Sequence, residues 1–82
     1  MVNISGVVVE KWTRRPVSGA TVKIGNYVGL TDSSGRFNIV APIGVHKMTI
    51  THRSFHPAVK ALNVLMSSDI GFMELNSKVV AL

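Results

Sequence analysis

The chain has no cysteine, so disulfide staples and thiolate metal sites are excluded. It has only four acidic residues against nine lysines and arginines, and the polar Asp32-Ser33-Ser34 loop offers one carboxylate where calcium takes about six to eight oxygens, so that loop reads as a turn. Aromatic residues make up 6% of the chain, including a single tryptophan and a single tyrosine. Uninterrupted apolar runs such as Val7-Val8-Val9 stop far short of the roughly 20 residues that span a bilayer as a helix. The opening Met1-Val2-Asn3-Ile4-Ser5-Gly6 has neither the basic start nor the apolar helical stretch of a secretory signal. The expected location is therefore cytoplasmic if the chain stands alone, and surface or extracellular if it is a module of a larger protein. Nowhere does a 3.6-residue apolar period appear, so no helix is predicted.

What is present is short alternation cut by turns. Residues 3–11 read as a first strand, with Ile4, Gly6 and Val8 on one face and Val7 and Val9 on the other. Trp12 to Pro16 form a loop, and Pro16 stops any ladder there. Ala20, Val22 and Ile24 alternate with Thr21 and Lys23 as a half-buried strand does. Gly25-Asn26 is a two-residue hairpin turn into Tyr27–Thr31. Asp32 and Gly35 bracket a turn, the first by accepting backbone hydrogen bonds and the second by supplying a left-handed position. Arg36–Val40 buries Phe37 and Ile39. Pro42 and Gly44 suit a type I turn, and Val45–Arg53 follows with His46, Met48, Ile50 and His52 on one face.

Ser54 to Pro57 break the pattern before Ala58–Met66 resumes it. Ser67-Ser68-Asp69 turns the chain into Ile70–Leu75, and Lys78–Leu82 is a short final strand. Turn signals every 8–12 residues predict an all-β antiparallel sandwich of about seven strands, in one domain over residues 1–82. So short a chain buries only roughly 60–65% of its unfolded surface, and a 46% hydrophobic content is rich for such an interior.

The pattern Ile4-x-Gly6-x-Val8, Pro16-Val17-x-Gly19-Ala20-x-Val22, Thr31-Asp32-x-x-Gly35-x-Phe37-x-Ile39 and Pro42-x-Gly44 continues into His46-x-Met48-x-Ile50 and Phe55. It resembles the carboxypeptidase regulatory-like domain of the transthyretin-like (prealbumin-like) superfamily. The resemblance implies a seven-stranded Greek-key sandwich that serves folding, adhesion or interaction without catalysis of its own. The family usually places an aromatic where this chain has His46 and a glycine where it has Ser54. The related transthyretin-type hydrolases carry a Tyr-Arg-Gly-Ser tail, where this chain reads Val79-Val80-Ala81-Leu82, so a hydrolytic reading finds no residue to rest on.

His46, His52 and His56 are the remaining candidates for metal or acid–base chemistry. The first two lie roughly 20 Å apart along one strand, too far to share an ion. His52 and His56 approach each other across the turn but lack further ligands, so all three read as structural. No catalytic, metal or cofactor site is expected.

Apolar residues on both faces of two strands are the strongest functional signal. Val7 and Val9 oppose Val8, and Ile70 and Phe72 oppose Met73 and Leu75, yet a two-layer sandwich has one inner face. Either a β-bulge reconciles the parity or a second chain covers the spare face. Trp12 beside Arg14 and Arg15 is a candidate contact hot spot, the alternative being that Trp12 folds back over the open end of the sandwich. The expected function is a non-catalytic interaction module that self-associates or docks onto a larger assembly through Val7, Val9, Phe72, Trp12, Arg14 and Arg15. The net charge of +5 keeps nucleic-acid association as an alternative, and recognition of a glycan or small ligand at the loop end is a further one.

Overall fold

The structure, a computed structural model, describes residues 1–78. Seven strands appear in chain order: β1 Val2–Glu10, β2 Thr21–Ile24, β3 Tyr27–Leu30, β4 Arg36–Ala41, β5 Gly44–His52, β6 Phe55–Val64 and β7 Ser68–Leu75. They form a three-stranded sheet in the order β4-β1-β7 and a four-stranded sheet in the order β3-β2-β5-β6. The particle is elongated, 45 × 20 × 16 Å.

Strict alternation decides which side chains enter the space between the sheets. Ile4 and Val8 from β1, Val22 and Ile24 from β2, Phe37 and Ile39 from β4, and Met48 and Ile50 from β5 form one cluster, closed by Val64 and Leu75. Each has polar or exposed neighbours on either side, except where β1 runs through the middle of its sheet. Gly6 belongs to this inner face because the ring of Phe37, its register partner, lies over it.

The loops at one end are tied to each other by hydrogen bonds. Thr31 is the one buried polar residue among those described: its hydroxyl accepts from the Ala20 N–H (2.8 Å) and donates to the Val17 carbonyl (2.7 Å). Asp32 Oδ1 accepts from the Ser34 and Arg36 N–H groups, and the chain leaves this turn at Gly35 with φ 75°. The Gly35 carbonyl then accepts from the Val8 N–H at 2.7 Å, and the Val8 carbonyl from the Val17 N–H at 2.9 Å. The β1–β2 and β3–β4 connections therefore share one backbone network with the centre of β1.

Several expectations are corrected. The sheets are not antiparallel throughout, since β1 and β7 pair in parallel. A hairpin dictates opposite directions only for strands it joins directly, and β1 and β7 are separated by five other strands, free of that constraint. The predicted gap at Ser54 to Pro57 is only Arg53-Ser54, because Phe55 already pairs with His52. Pro57 is accommodated because β6 is an edge strand, with a register shift at this point. Residues 76–78 then run along the start of β6, where the His56 N–H donates to the Asn76 carbonyl and the Lys78 N–H to the Ser54 carbonyl. The turn expected at Ser67-Ser68-Asp69 falls earlier, since Ser68 and Asp69 are already in β7. Of the final strand expected over Lys78–Leu82, Lys78 lies in a bend and residues 79–82 are outside the described residues.

The late-strand parity conflict resolves within the chain. Between Ser5 and Val7 the β1–β7 register slips, so that β7 sets two residues, Ile70 and Gly71, against the single Gly6 of β1. Gly71 takes φ 78° there, and its N–H is held by Asp69 Oδ1 at 2.8 Å. The extra residue reverses the facing of everything after it. Ile70, Met73 and Leu75 consequently all reach the core, contrary to the expected grouping of Ile70 with Phe72. Phe72 alone is left outside, 68% exposed.

Candidate docking surface

The outer face of the three-stranded sheet gathers four of the six residues singled out from the sequence. Val7 and Phe72 are direct register partners on it, and Val9 faces Glu74 two positions along. Val9, Arg14 and Phe72 line one hollow. Val9 is nevertheless 3% exposed, so its outward side chain is covered by its own chain. Val9 bridges to Pro16, and beside it the Arg14 guanidinium Nη1 meets Glu74 Oε2, from the register partner of Val9, at 2.7 Å. This ion pair is exposed and contributes little stability by itself. Its consequence is shape, a hollow with Phe72 standing at its side.

Arg14 reaches that position because of an unusual backbone. It is the one non-glycine among the described residues with positive φ, 62°. The 11–15 turn that imposes this is organised by Glu10, whose Oε2 accepts from the Trp12 N–H, the Thr13 N–H and the Thr13 hydroxyl. The Glu10 carbonyl in turn accepts from the Arg14 N–H, and the Glu10 N–H donates to the Arg15 carbonyl. These bonds, above all that from the Thr13 N–H, hold the Glu10 carboxyl below the usual carboxylate range. A depressed carboxyl supports the turn above its ordinary titration range and loses that support as acid protonates it. Followed by NMR, the Thr13 amide is expected to report a Glu10 midpoint below that of a free glutamate. Glu10→Gln should show at neutral pH the loosened amide that the natural chain shows only in acid. A Thr13 amide that ignores both changes would refute this account.

Trp12 projects from the same turn, 80% exposed, with the Lys11 ammonium 5.1 Å from its ring centre. It does not fold back over the sandwich end, because the three-residue bonds to Glu10 turn it outward. Neither Trp12 nor Arg15 lines the hollow. The residues missed from the sequence are Glu10 and Glu74. Glu10 carried a local signal, an acid three residues before a threonine, whereas the role of Glu74 depends on the β1–β7 pairing.

Two of the three histidines, His46 and His52, are occupied structurally. The Ser54 N–H donates to His52 Nδ1 at 3.1 Å, which leaves the proton on Nε2 to meet the Ser18 carbonyl at 3.2 Å. His46 Nε2 lies 2.8 Å from the Pro42 carbonyl. His56 is exposed. No group of three metal-ligating side chains comes together among the described residues, and no helix there is long and apolar enough to cross a membrane.

The family model of the carboxypeptidase regulatory-like domain matches residues 3–71, and the chain belongs to that family. No curated protein matches it. Two solved chains from a type II cohesin–X–dockerin complex of Acetivibrio cellulolyticus share its fold. One is from an N-terminal interface mutant, with TM-score 0.74, and the other from a C-terminal interface mutant, with TM-score 0.73. Each is 24% identical over 88% of this chain but only 53% of the neighbour, so the chain spans about half the length of the structures it matches.

Proposed function

We propose that this domain is a non-catalytic docking module that engages a protein partner, or a second copy of itself, through the outer face of its three-stranded sheet. The observation that carries the reading is the hollow between Val9, Arg14 and Phe72, with Phe72 standing exposed beside it. Exposed apolar side chains next to an arginine on a rigid strand are the usual centre of a contact patch. Trp12 and Arg15, carried on the adjoining turn, extend the patch at one end. The family membership and the shared fold with a cohesin–X–dockerin complex support an interaction role. The connections crossing between the sheets, read as a transthyretin-like Greek key, belong to the same proposal, as does the view of the chain as a single domain without chemistry of its own.

The test compares the natural protein with Phe72→Ser, an exposed position whose change leaves the core intact. Native mass spectrometry and sedimentation measure self-association, and affinity capture measures partner binding. If Phe72 anchors the contact, its loss weakens association about thirtyfold, the scale of a single hot spot of about 2 kcal/mol. A strict monomer that retains the same partners with and without Phe72 would overturn the reading. Retained RNA or DNA that dissociates steeply with salt would favour the nucleic-acid alternative, for which the +5 charge and the Trp12–Arg15 turn speak.

A further inference from the structure

A second concave surface lies on the other sheet, away from Phe72. Where the β1–β2 and β5–β6 connections meet, an open cleft of about 680 Å³ is bounded by Ser18-Gly19, by the ends of β2 and β5, and by Lys78. Phe55 and Pro57 supply its apolar surface, with the Phe55 ring set edge-to-face against His52 at 5.2 Å and 81°. Thr21 and Thr51, register partners on β2 and β5, supply hydroxyls. Arg53 and Lys78, both exposed, supply positive charge.

What the cleft lacks is equally informative. None of the four acidic residues lines it, and each is engaged elsewhere. Glu10 holds the 11–15 turn, Asp32 its own turn, Asp69 the bulge at Gly71, and Glu74 the Arg14 guanidinium. His52 lines the cleft but has both ring nitrogens committed, to Ser54 and Ser18, so it offers neither a free base nor a ligand. Two cations and the hydroxyls of Ser18, Thr21 and Thr51 therefore flank an apolar surface, with no carboxylate side chain among the described residues to offset the charge.

We infer that this cleft binds an acidic peptide segment of a protein partner. A glutamate or aspartate carboxylate sits between Arg53 and Lys78, and a neighbouring apolar side chain packs on Phe55 and Pro57. A peptide fits better than an acidic sugar, because among the described residues no side-chain amide or carboxylate lines the cleft to grip paired sugar hydroxyls. It fits better than a nucleic acid, because the single aromatic ring packs against His52 instead of lying open as a stacking platform. The site is independent of the Phe72 surface and stands or falls separately from it.

The experiment titrates the full chain with a labelled eight-residue peptide of alternating glutamate and leucine, followed by fluorescence anisotropy. The same peptide with glutamine for glutamate, a polygalacturonate oligomer and single-stranded DNA are run beside it. The glutamate peptide is expected to bind most tightly, and to weaken as salt rises from about 50 to about 500 mM. Arg53→Glu and Lys78→Glu should each weaken it about five- to tenfold, while Phe72→Ser leaves it unchanged. Arg53 is exposed in a turn, and an unchanged amide spectrum confirms that the variant folds. Equal binding of the glutamine peptide, indifference to Arg53→Glu, or tighter binding of the sugar or the DNA would each overturn the inference.

Discussion

Gly35→Ala is expected to cost about 3 kcal/mol or more in a denaturant titration, a large share of the roughly 4–12 kcal/mol that a domain of this size commands. Two separate penalties combine. The backbone at Gly35 has φ 75°, where an L side chain is strained by about 1 kcal/mol or more. In addition, a Cβ there would collide with the Val8 carbonyl oxygen and come within 3.1 Å of Pro16 Cβ and 3.2 Å of the Val17 nitrogen. These are backbone and ring atoms of the network that joins both loops to β1, so nothing nearby can swing away. Gly19 provides the control. It has nearly the same φ, 72°, but no atom lies within 4 Å of its added Cβ. Gly19→Ala should therefore lose only about 1 kcal/mol, the conformational part alone. Gly35→Asn separates the two penalties further, since asparagine tolerates the backbone but not the collision. If Gly35→Asn were as mild as Gly19→Ala, the steric half of the argument would be lost.

The second large effect is expected at Gly6, where the backbone is ordinary and only space matters. A Cβ at Gly6 would approach Phe37 Cζ at 2.8 Å, Phe37 Cε1 at 2.9 Å and the Gly71 carbonyl oxygen at 3.1 Å. Phe37 is buried in the centre of the cluster, so its ring has no free volume to retreat into. Overpacking of this kind costs about 1–3 kcal/mol. The informative measurement is a double-mutant cycle. Phe37→Leu alone leaves a void, but in the Gly6→Ala background the smaller side chain relieves the collision, so the two losses should fall well short of adding. Strict additivity would mean that the Gly6–Phe37 contact is not the cause. The interest extends beyond stability, because Gly6 sits in the strand whose opposite face presents Val7 and Val9.

The residues explain how much of this was legible beforehand. Ala20, Val22 and Ile24, and likewise Phe37 and Ile39, announce their facing by alternation alone, and each is buried as read. The Asp32–Gly35 turn is equally local, since both ends of its hydrogen bonds lie within five residues. Gly71 shows where locality ends. A bulge is defined by the pairing partner, here a strand more than sixty residues away in sequence, so no window around Ile70 and Phe72 reveals that their facing will be exchanged. The parallel direction of β1 and β7 is hidden for the same reason. Val9 read as a side chain awaiting another molecule because the Arg14–Glu74 bridge beside it joins a turn to β7, a pairing no local window reveals. The cleft between Ser18, Arg53 and Lys78 was invisible throughout, because it exists only where separate connections converge. The composition did foretell that so apolar a chain would leave greasy surface outside, and it does so at Phe72 and also at Val28, Leu30, Val45 and Val59 on the other sheet.

The pairing of β1 with β7 carries a temporal consequence. The middle strand of one sheet is synthesised before the other strands of this domain, yet its second edge stays bare until the residues around Ser68 to Leu75 have followed. Closure of so wide a loop must precede any reward from the contacts it brings, which makes assembly slow and late. During that interval Ile4 to Val9 forms an unguarded sticky ribbon, and nascent-chain quality control has most to do there.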